Sequence, residues 1–334
     1  MRAVVLVGGF GTRLRPLTNT APKPMLPVGH VPIIERLVAN LGRGGVSEVT
    51  LALGFKPEPF VHAFPDGQCA GVKLHYAVEP EPLDTAGAIR FAADAAGIDD
   101  TFVVANGDVL TDLDVSDLVH FHRRRQAEAT IHVIGVPDPS AFGVVALDAD
   151  FRVERFVEKP APGTAPTNLI NAGTYVLEPS VLERIPLGHK VSIERATFPA
   201  VVADGGLYAM ASDDYWVDTG RPELYLQANL DLLSGVRRFD GCTPVHADAR
   251  VAADVSLQRA IIGPGAVVGA GAVVVDSVLL PGAVVEAGAR VTDSVVMGRV
   301  GEGAVVQQSV LGADGVAAPG EHVSGERRPD PDLT

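Results

Sequence analysis

From about Asp240 onward the chain repeats itself every six residues. Ile262, Val268, Val274 and Leu280 stand six apart; Gly263 and Gly269 follow the first two, with Gly265 and Gly271 two further on. The register slips by one to Val285, Val291 and Met297 resume the spacing, and Val300 and Val306 repeat it. A branched aliphatic at this interval, with Gly or Pro at the corners, fits one short strand per hexapeptide stacked into a triangular coil. Each side then buries its aliphatic in a ladder, and each turn has no room for bulk. The charged fraction falls over the same stretch and aromatic residues vanish. The last segment, Glu326–Thr334, carries charges and Pro and reads as a disordered tail.

Residues 1–235 follow a different pattern. The short apolar runs Ala3–Val7, Val49–Leu53, Leu74–Val78 and Phe102–Ala105 read as strands, and Ile33–Leu41 and Ala86–Ala96 as helices by their i, i+3, i+4 spacing. Further strands are predicted at Ala129–Val136, Val144–Leu147, Val153–Val157 and Gly173–Leu177. A helix is expected at Ile193–Ala203, stopped by Gly205, and another at Pro222–Leu233, with Pro222 in its first turn and Gly235 at its stop. Alternation of this kind predicts an α/β domain with a Rossmann-like, mostly parallel sheet over residues 1–235, then the repeat domain over 240–325. The full length of 334 residues suits about two such domains.

Charge and cysteine content narrow the function. With 27 basic against 41 acidic residues the net charge is −14, the wrong sign for a protein that grips nucleic acid or anionic lipid. Cys69 and Cys242 cannot form a disulfide framework and fit a reducing compartment. No apolar run reaches about 18 residues, so no membrane span is expected. Ala3–Val7, ending at Gly8-Gly9, is too short for a signal-peptide core, and the expected location is the cytoplasm.

The first strand runs into Gly8-Gly9-Phe10-Gly11-Thr12-Arg13-Leu14. Glycines directly after a strand let backbone N–H groups approach a phosphate, and Arg13 can set a fixed cation beside it. The dinucleotide fingerprint fails because Leu14 stands where its third Gly belongs, and no Gly-Lys pair exists for a P-loop. The whole string, with Pro16-Leu17-Thr18 and Pro22-Lys23-Pro24, resembles the opening of the sugar-1-phosphate nucleotidyltransferases, whose catalytic fold is GT-A-like. The resemblance spans essentially the entire chain, and residues 245–320 resemble the hexapeptide-repeat left-handed β-helix.

The resemblance implies roles for particular residues. Arg13 and Lys23 would hold the triphosphate and stabilise departing pyrophosphate. Asp108, in Asn106-Gly107-Asp108, and Asp218, in Trp216-Val217-Asp218-Thr219-Gly220, would bind catalytic Mg²⁺, a hard cation that rarely has a full protein cage. Leu6, Gly8, Gly9, Gly11, Thr12, Glu79, Asp84 and Thr85 would line the nucleotide. Gly143, Glu158, Lys159 and Asn171 would meet the sugar phosphate. One departure is visible: in Glu81-Pro82-Leu83-Asp84-Thr85-Ala86-Gly87, Asp84 stands where the family has Gly.

The implied reaction is attack by a sugar-1-phosphate oxygen on the α-phosphorus of a nucleoside triphosphate, with cations and metal offsetting the repulsion of two polyanions. Val191-Ser192-Ile193-Glu194, Phe198-Pro199 and the appended β-helix most resemble mannose-1-phosphate guanylyltransferases. Glucose-1-phosphate thymidylyl-, uridylyl- and adenylyltransferases share most other motifs, and seven-carbon or carbocyclic sugar phosphates stay open. A β-helix also suggests acyl transfer, but no His lies within 250–320; subunit association into a homo-oligomer suits it better. The rival of another class is a non-catalytic nucleotide-sugar-binding regulatory subunit, expected to have lost a key cation or carboxylate. His120 and His122, beside Arg123-Arg124-Arg125, read as a solvated helix end.

Overall fold

Ala3, Val4 and Val5 have no exposed surface because the strand that carries them, β1 (Arg2–Leu6), lies in the interior of a ten-stranded sheet. The computed structural model describes residues 1–9, 11–54, 57–237 and 241–331. It divides into two compact units, Met1–Gly9 with Ile34–Trp216, and Phe10–Ile33 with Val217–Thr334. The segment 11–33 and the last helix before the repeats group with the coil in the second unit.

In the first unit the other strands are β2 (Glu48–Leu53), β3 (Gln68–Cys69), β4 (Val72–Val78), β5 (Phe102–Asn106), β6 (Ala129–Gly135), β7 (Gly143–Leu147), β8 (Val153–Glu158), β9 (Leu169–Leu177) and β10 (Leu207–Ser212). Their order is β8-β7-β9-β5-β1-β2-β4-β3, with β6 on β9 and β10 on β6. The pairs among β5, β1, β2 and β4 are parallel, as the strand–helix alternation requires. Antiparallel β7, β8 and β9 extend that core, while β10 returns parallel to β6. Helices α1 (Ile33–Arg43), α2 (Asp84–Ala95), α3 (Val115–Arg125) and α4 (Phe198–Ala203) belong largely to the same unit. The helix expected over 193–203 begins as a wide π-type turn, Ile193–Thr197, whose entry Ser192 caps by accepting from Arg195 N.

Two histidines sit inside this unit. His122 is not on a solvated helix end: it is 1% exposed, with Nδ1 2.8 Å from Thr130 Oγ1 and Nε2 2.9 Å from Glu178 Oε1. Valines and leucines of α3 face the sheet, and position 122 falls on that stripe. His132, on β6, is fully buried with Nε2 2.8 Å from Ser212 Oγ, and burial pushes its pKa down to about 4. The unfolded chain takes up this proton near pH 6.5 and the folded chain does not, so stability is lost as pH falls from about 6.5 to about 4. The loss amounts to roughly 3 kcal/mol. A His132→Gln variant should show a flatter denaturation midpoint between pH 7.5 and 5; a slope identical to wild type would contradict this.

The second unit contains three five-stranded parallel sheets. The first stacks Arg250–Val251, Val267–Val268, Val284–Val285, Arg299–Val300 and Val316–Ala317; the second runs from Ser256–Gln258 to His322–Ser324; the third from Ile261–Ile262 to Arg327–Arg328. Their inward residues form one aliphatic core. The ladder follows the predicted period with one correction: Leu279 and Val296, not Leu280 and Met297, take the inner places. The corner before the third sheet is one residue shorter because left-handed Asp276, Asp293 and Gln308 turn it tightly. Buried Ser277, Ser294 and Ser309 follow them. Each Ser Oγ donates to the carbonyl two residues back and accepts from the N–H one coil on, at 3.1 Å. Gly269 and Gly301 confirm the crowding of other corners, since a Cβ on either would lie 2.6 Å from backbone nitrogen of the next coil.

The expected disordered tail needs a second correction. Arg327–Arg328 is a strand paired with Val310–Leu311, while 332–334 lie outside the described residues. Arg328 continues the inner row of the third sheet, where its guanidinium meets Glu321 Oε1 at 2.9 Å and Glu326 Oε2 at 2.8 Å. A solenoid must end in a polar coil to shield its ladder, and charges read as disorder are here the cap.

Candidate active site

In the second unit the signature loop is folded by its own apolar residues. Gly11 adopts φ +57°, and its carbonyl accepts from Thr18 Oγ1 at 2.9 Å. Short 3₁₀ turns at Thr12–Leu14, Leu17–Asn19 and Lys23–Met25 follow. Leu14 and Leu17 are fully buried, which leaves Thr12 and Arg13 at the surface. Lys23, 6% exposed, places Nζ 3.1 Å from Asp218 Oδ1, which also accepts from Gly220 N at 2.8 Å. A Cβ on Gly220 would lie 2.9 Å from Asp218 Oδ1, 3.1 Å from Arg13 Nη2 and 3.3 Å from Lys23 Nζ. Arg13, Lys23 and Asp218 therefore converge around one bare backbone position, two cations against one carboxylate. Helix α5 (Pro222–Ser234), in the same unit, holds the later part of the loop: Asn229 Oδ1 accepts from Gly29 N at 2.7 Å, and Tyr225 OH donates to Pro27 O.

The remaining predicted residues lie in the first unit. Leu6 ends β1, and Gly8 and Gly9 are exposed, Gly9 at φ +122° with open space where a Cβ would be. Gly107 packs so closely on β1 that a Cβ would meet Leu6 O at 2.8 Å, and half-buried Asp108 follows it at the C-terminal end of β5. Glu79 is 8% exposed; its Oε2 accepts from Leu83 N at 2.8 Å, and burial raises its pKa against that hydrogen bond. Its Oε1 faces Gly54, which in turn abuts Gly8.

Asp84 explains its own departure from the family pattern. Its φ is +59°, the left-handed conformation glycine tolerates best, and among residues with a side chain Asp is one of those that visit it. Asp84 Oδ1 accepts from Thr85 N at 2.8 Å. Thr85 Oγ1 accepts from Ile193 N and donates to Glu194 Oε2, both at 2.8 Å, and Ser192 Oγ donates to the same oxygen. This network pins the loop at 84–85 to the turn at 192–194.

Gly143 and Glu158 face each other across the β7–β8 ladder, and a Cβ on Gly143 would lie 2.9 Å from Glu158 Oε2. Lys159, exposed and at φ +48°, donates its N–H to Phe142 O and sets Nζ 3.5 Å from Glu158 Oε1. Asn171 sits where β9 shifts register; Oδ1 accepts from Gly173 N at 3.0 Å and Nδ2 donates to Tyr175 OH at 2.9 Å. Gly173, at φ +78°, leaves space only for Asn106, whose Nδ2 would be 2.7 Å from a Cβ there. Burial raises the Tyr175 pKa, and the charges of Glu194, Glu158 and Asp108 push it further the same way. Gly220, Tyr175 and Asn106 carry no sequence signal that marks them as site residues. Gly220 closes the motif over 216–220, but the place of the other two depends on a bulge that no local pattern announces.

Among the described residues no group of three or more His, Cys, Asp or Glu side chains is disposed to hold a metal alone. Asp218 Oδ1 is engaged by Lys23 and Gly220, and its second oxygen suits a hard dication that completes its shell with phosphate oxygens and water. The donor set, carboxylates without thiol or imidazole, fits Mg²⁺ chemistry. No helix of the described residues is long and apolar enough to cross a membrane.

Comparison with known proteins finds two family patterns in succession along the chain. The pattern of the nucleotidyl transferase family matches residues 2–235, and that of a GlmU-like C-terminal hexapeptide domain matches 245–332. The mannose-1-phosphate guanylyltransferase of Mycobacterium tuberculosis is 42% identical over 292 residues, covering 83% of this chain and 80% of the relative. A probable mannose-1-phosphate guanylyltransferase of Oryza sativa is 40% identical, covering 80% of this chain and 75% of its own. Among solved structures, HddC from Yersinia pseudotuberculosis, also solved with GMP-PN, superposes with a TM-score of 0.59 at 31% identity. It covers 68% of this chain and 97% of its own.

Proposed function

We propose, from the premise that this chain belongs to the nucleotidyl transferase family, that it is an enzyme transferring GMP from GTP to mannose 1-phosphate, releasing pyrophosphate. The observation that carries the chemistry is the convergence of Arg13, Lys23 and Asp218 around Gly220. The substrate pair is supported by the relatives, which are named mannose-1-phosphate guanylyltransferases over most of their length.

The nucleophile is already an anion, so no general base is needed; the barrier lies in bringing two polyanions together. Two unit charges 4 Å apart repel by about 4 kcal/mol at an effective dielectric near 20. Arg13 and Lys23 supply fixed positive charge for the triphosphate and the departing pyrophosphate. Asp218 orients Lys23 and Gly220 N–H. In the first unit Gly8 and Gly9, after Leu6, offer backbone N–H groups without a Cβ in the way; in the second, Gly11 and Thr12 are assigned to the nucleotide as well. Glu158, Lys159, Gly143 and Asn171 bind the sugar phosphate, with Tyr175 holding the Asn171 amide. A divalent ion, which we assign as Mg²⁺, would be held by Asp108 and Asp218 and supply further neutralisation of phosphate charge.

Glu79 gives the base preference a physical basis. A buried carboxylate complements adjacent N–H donors, and guanine carries such a pair on its N1 and exocyclic amine. Thr85 and Asp84 hold the loop beside it. Glu79→Gln should lower kcat/KM for GTP by about 10–100-fold, because one acceptor becomes a donor facing a donor. Since burial raises the Glu79 pKa, preference for GTP should decline as pH falls through a range above that of an ordinary carboxylate. Equal GTP use by the variant would contradict the assignment.

The test of the whole reading is pyrophosphate release with five nucleoside triphosphates against a panel of sugar 1-phosphates, including glucose 1-phosphate and a seven-carbon sugar phosphate. GTP with mannose 1-phosphate should be the best pair. Binding of nucleotide-sugar with no turnover for any pair would favour a regulatory subunit instead. Retention of Arg13, Lys23, Asp108 and Asp218 argues against that alternative. The polar-capped β-helix suits association into a homo-oligomer, and the charge and sequence fit a cytoplasmic enzyme that binds neither nucleic acid nor membrane.

A further inference from the structure

Two of the three faces of the β-helix expose residues along their outer rows; the third does so only at its last rung. Ile261, Val278, Val295 and Val310, the outward row of the third sheet, are each 7% exposed or less. Along this side, within the same unit, lies the signature loop. Pro16 packs so closely on Gly312 that a Cβ there would lie 2.8 Å from the Pro16 Cβ and 2.9 Å from its carbonyl oxygen. Thr20 Oγ1 approaches Met297 Sδ at 3.7 Å. The fifth member of the outward row is Arg327, whose Nη1 donates to the carbonyl oxygen of Arg13 at 3.0 Å.

We propose that the last coil of the β-helix is part of the catalytic machinery: Arg327 is a positioning residue that, with the bare face of Gly312, fixes the backbone of Arg13 and so aims its guanidinium. The proposal rests on the reading that Arg13 meets the triphosphate. Two features favour positioning over plain stability. Arg13 and Arg327 are both exposed, so their hydrogen bond adds little to folding. The coil is instead clamped by its neighbour: Arg328 is tied to Glu321, Glu326 and the Val316 carbonyl, and turns Arg327 outward from a rigid rung. Arg13 itself lies on a one-turn 3₁₀ segment, too short to fix its own geometry. Leu14, fully buried, anchors the next residue, and the Arg327 contact holds the Arg13–Leu14 peptide between them.

The experiment uses the full chain with GTP, mannose 1-phosphate and Mg²⁺. Arg327→Ala should lower kcat about tenfold or more, since small misplacements of a catalytic group are costly, with KM for mannose 1-phosphate and the thermal midpoint little changed. Arg327→Lys, which keeps a donor, should recover part of the loss. Gly312→Ala, pressing on Pro16 from the other contact, should depress the same parameter. In an Arg13→Ala background Arg327→Ala should add no further loss. Wild-type kcat in Arg327→Ala, or a loss that multiplies undiminished in the Arg13→Ala background, overturns the proposal. Near-normal turnover of Arg13→Ala alone overturns instead the reading beneath it.

Discussion

Replacing Arg13 with alanine is expected to lower turnover with GTP and mannose 1-phosphate by about 10³-fold while the chain stays folded. A fixed cation acting on developing phosphate charge contributes on this scale. The fold should persist because Leu14 and Leu17, not Arg13, anchor the loop in the interior. The loss should fall mainly on kcat, since charge on the leaving pyrophosphate grows only as the bond to the α-phosphorus breaks. Arg13→Lys should recover a fraction, because an ammonium restores charge but not the planar two-pronged contact. A variant with wild-type kcat and a raised KM for GTP would show Arg13 to be a binding group only.

The second large effect is expected at Asp218. Asp218→Asn preserves shape, and its amide oxygen can still accept from Gly220 N, so the denaturation midpoint should fall only modestly. Activity should fall by about 10²–10³, and the Mg²⁺ concentration giving half-maximal rate should rise. Lys23→Met provides the contrast. It removes the buried partner of Asp218, side-chain exposures being 7% and 21%, and leaves that carboxylate unopposed by Lys23 in a partly desolvated position, so it should lower both rate and stability. If Asp218→Asn kept full rate with an unchanged Mg²⁺ requirement, Asp218 would be an orienting residue for Lys23 and nothing more.

Much of this architecture is legible in the sequence, for reasons tied to particular residues. β1 and the loop after it are marked by an abrupt change from Ala3–Val7 to glycine. The ends of α5 are written by Pro222 and Gly235, the latter at φ +68° where a helix stops. Asp84 is visible as a departure, although only its positive φ explains why Asp can stand there. What sequence conceals is decided by tertiary contact. Leu207–Ser212 has too few branched residues to announce itself, yet it completes the sheet by pairing with Ala129–Gly135. His122 and the arginines after it share a helix end, but only packing places His122 inward. Arg327 and Arg328 look like a charged tail until the preceding coils give them a rung to occupy. The ladder slips at Ser277 and Ser294 because a left-handed corner shortens the path, which a count of six cannot foresee.

The direct measurement of the central claim is the fate of the α-phosphorus. Purified enzyme given Mg²⁺, mannose 1-phosphate and GTP labelled at that position is predicted to move the label into GDP-mannose, with one unlabelled pyrophosphate released per label transferred. Arg13→Ala, Lys23→Met and Asp218→Asn should each slow that transfer. Label that stays in GTP, or appears as free GMP while mannose 1-phosphate is left untouched, would contradict it.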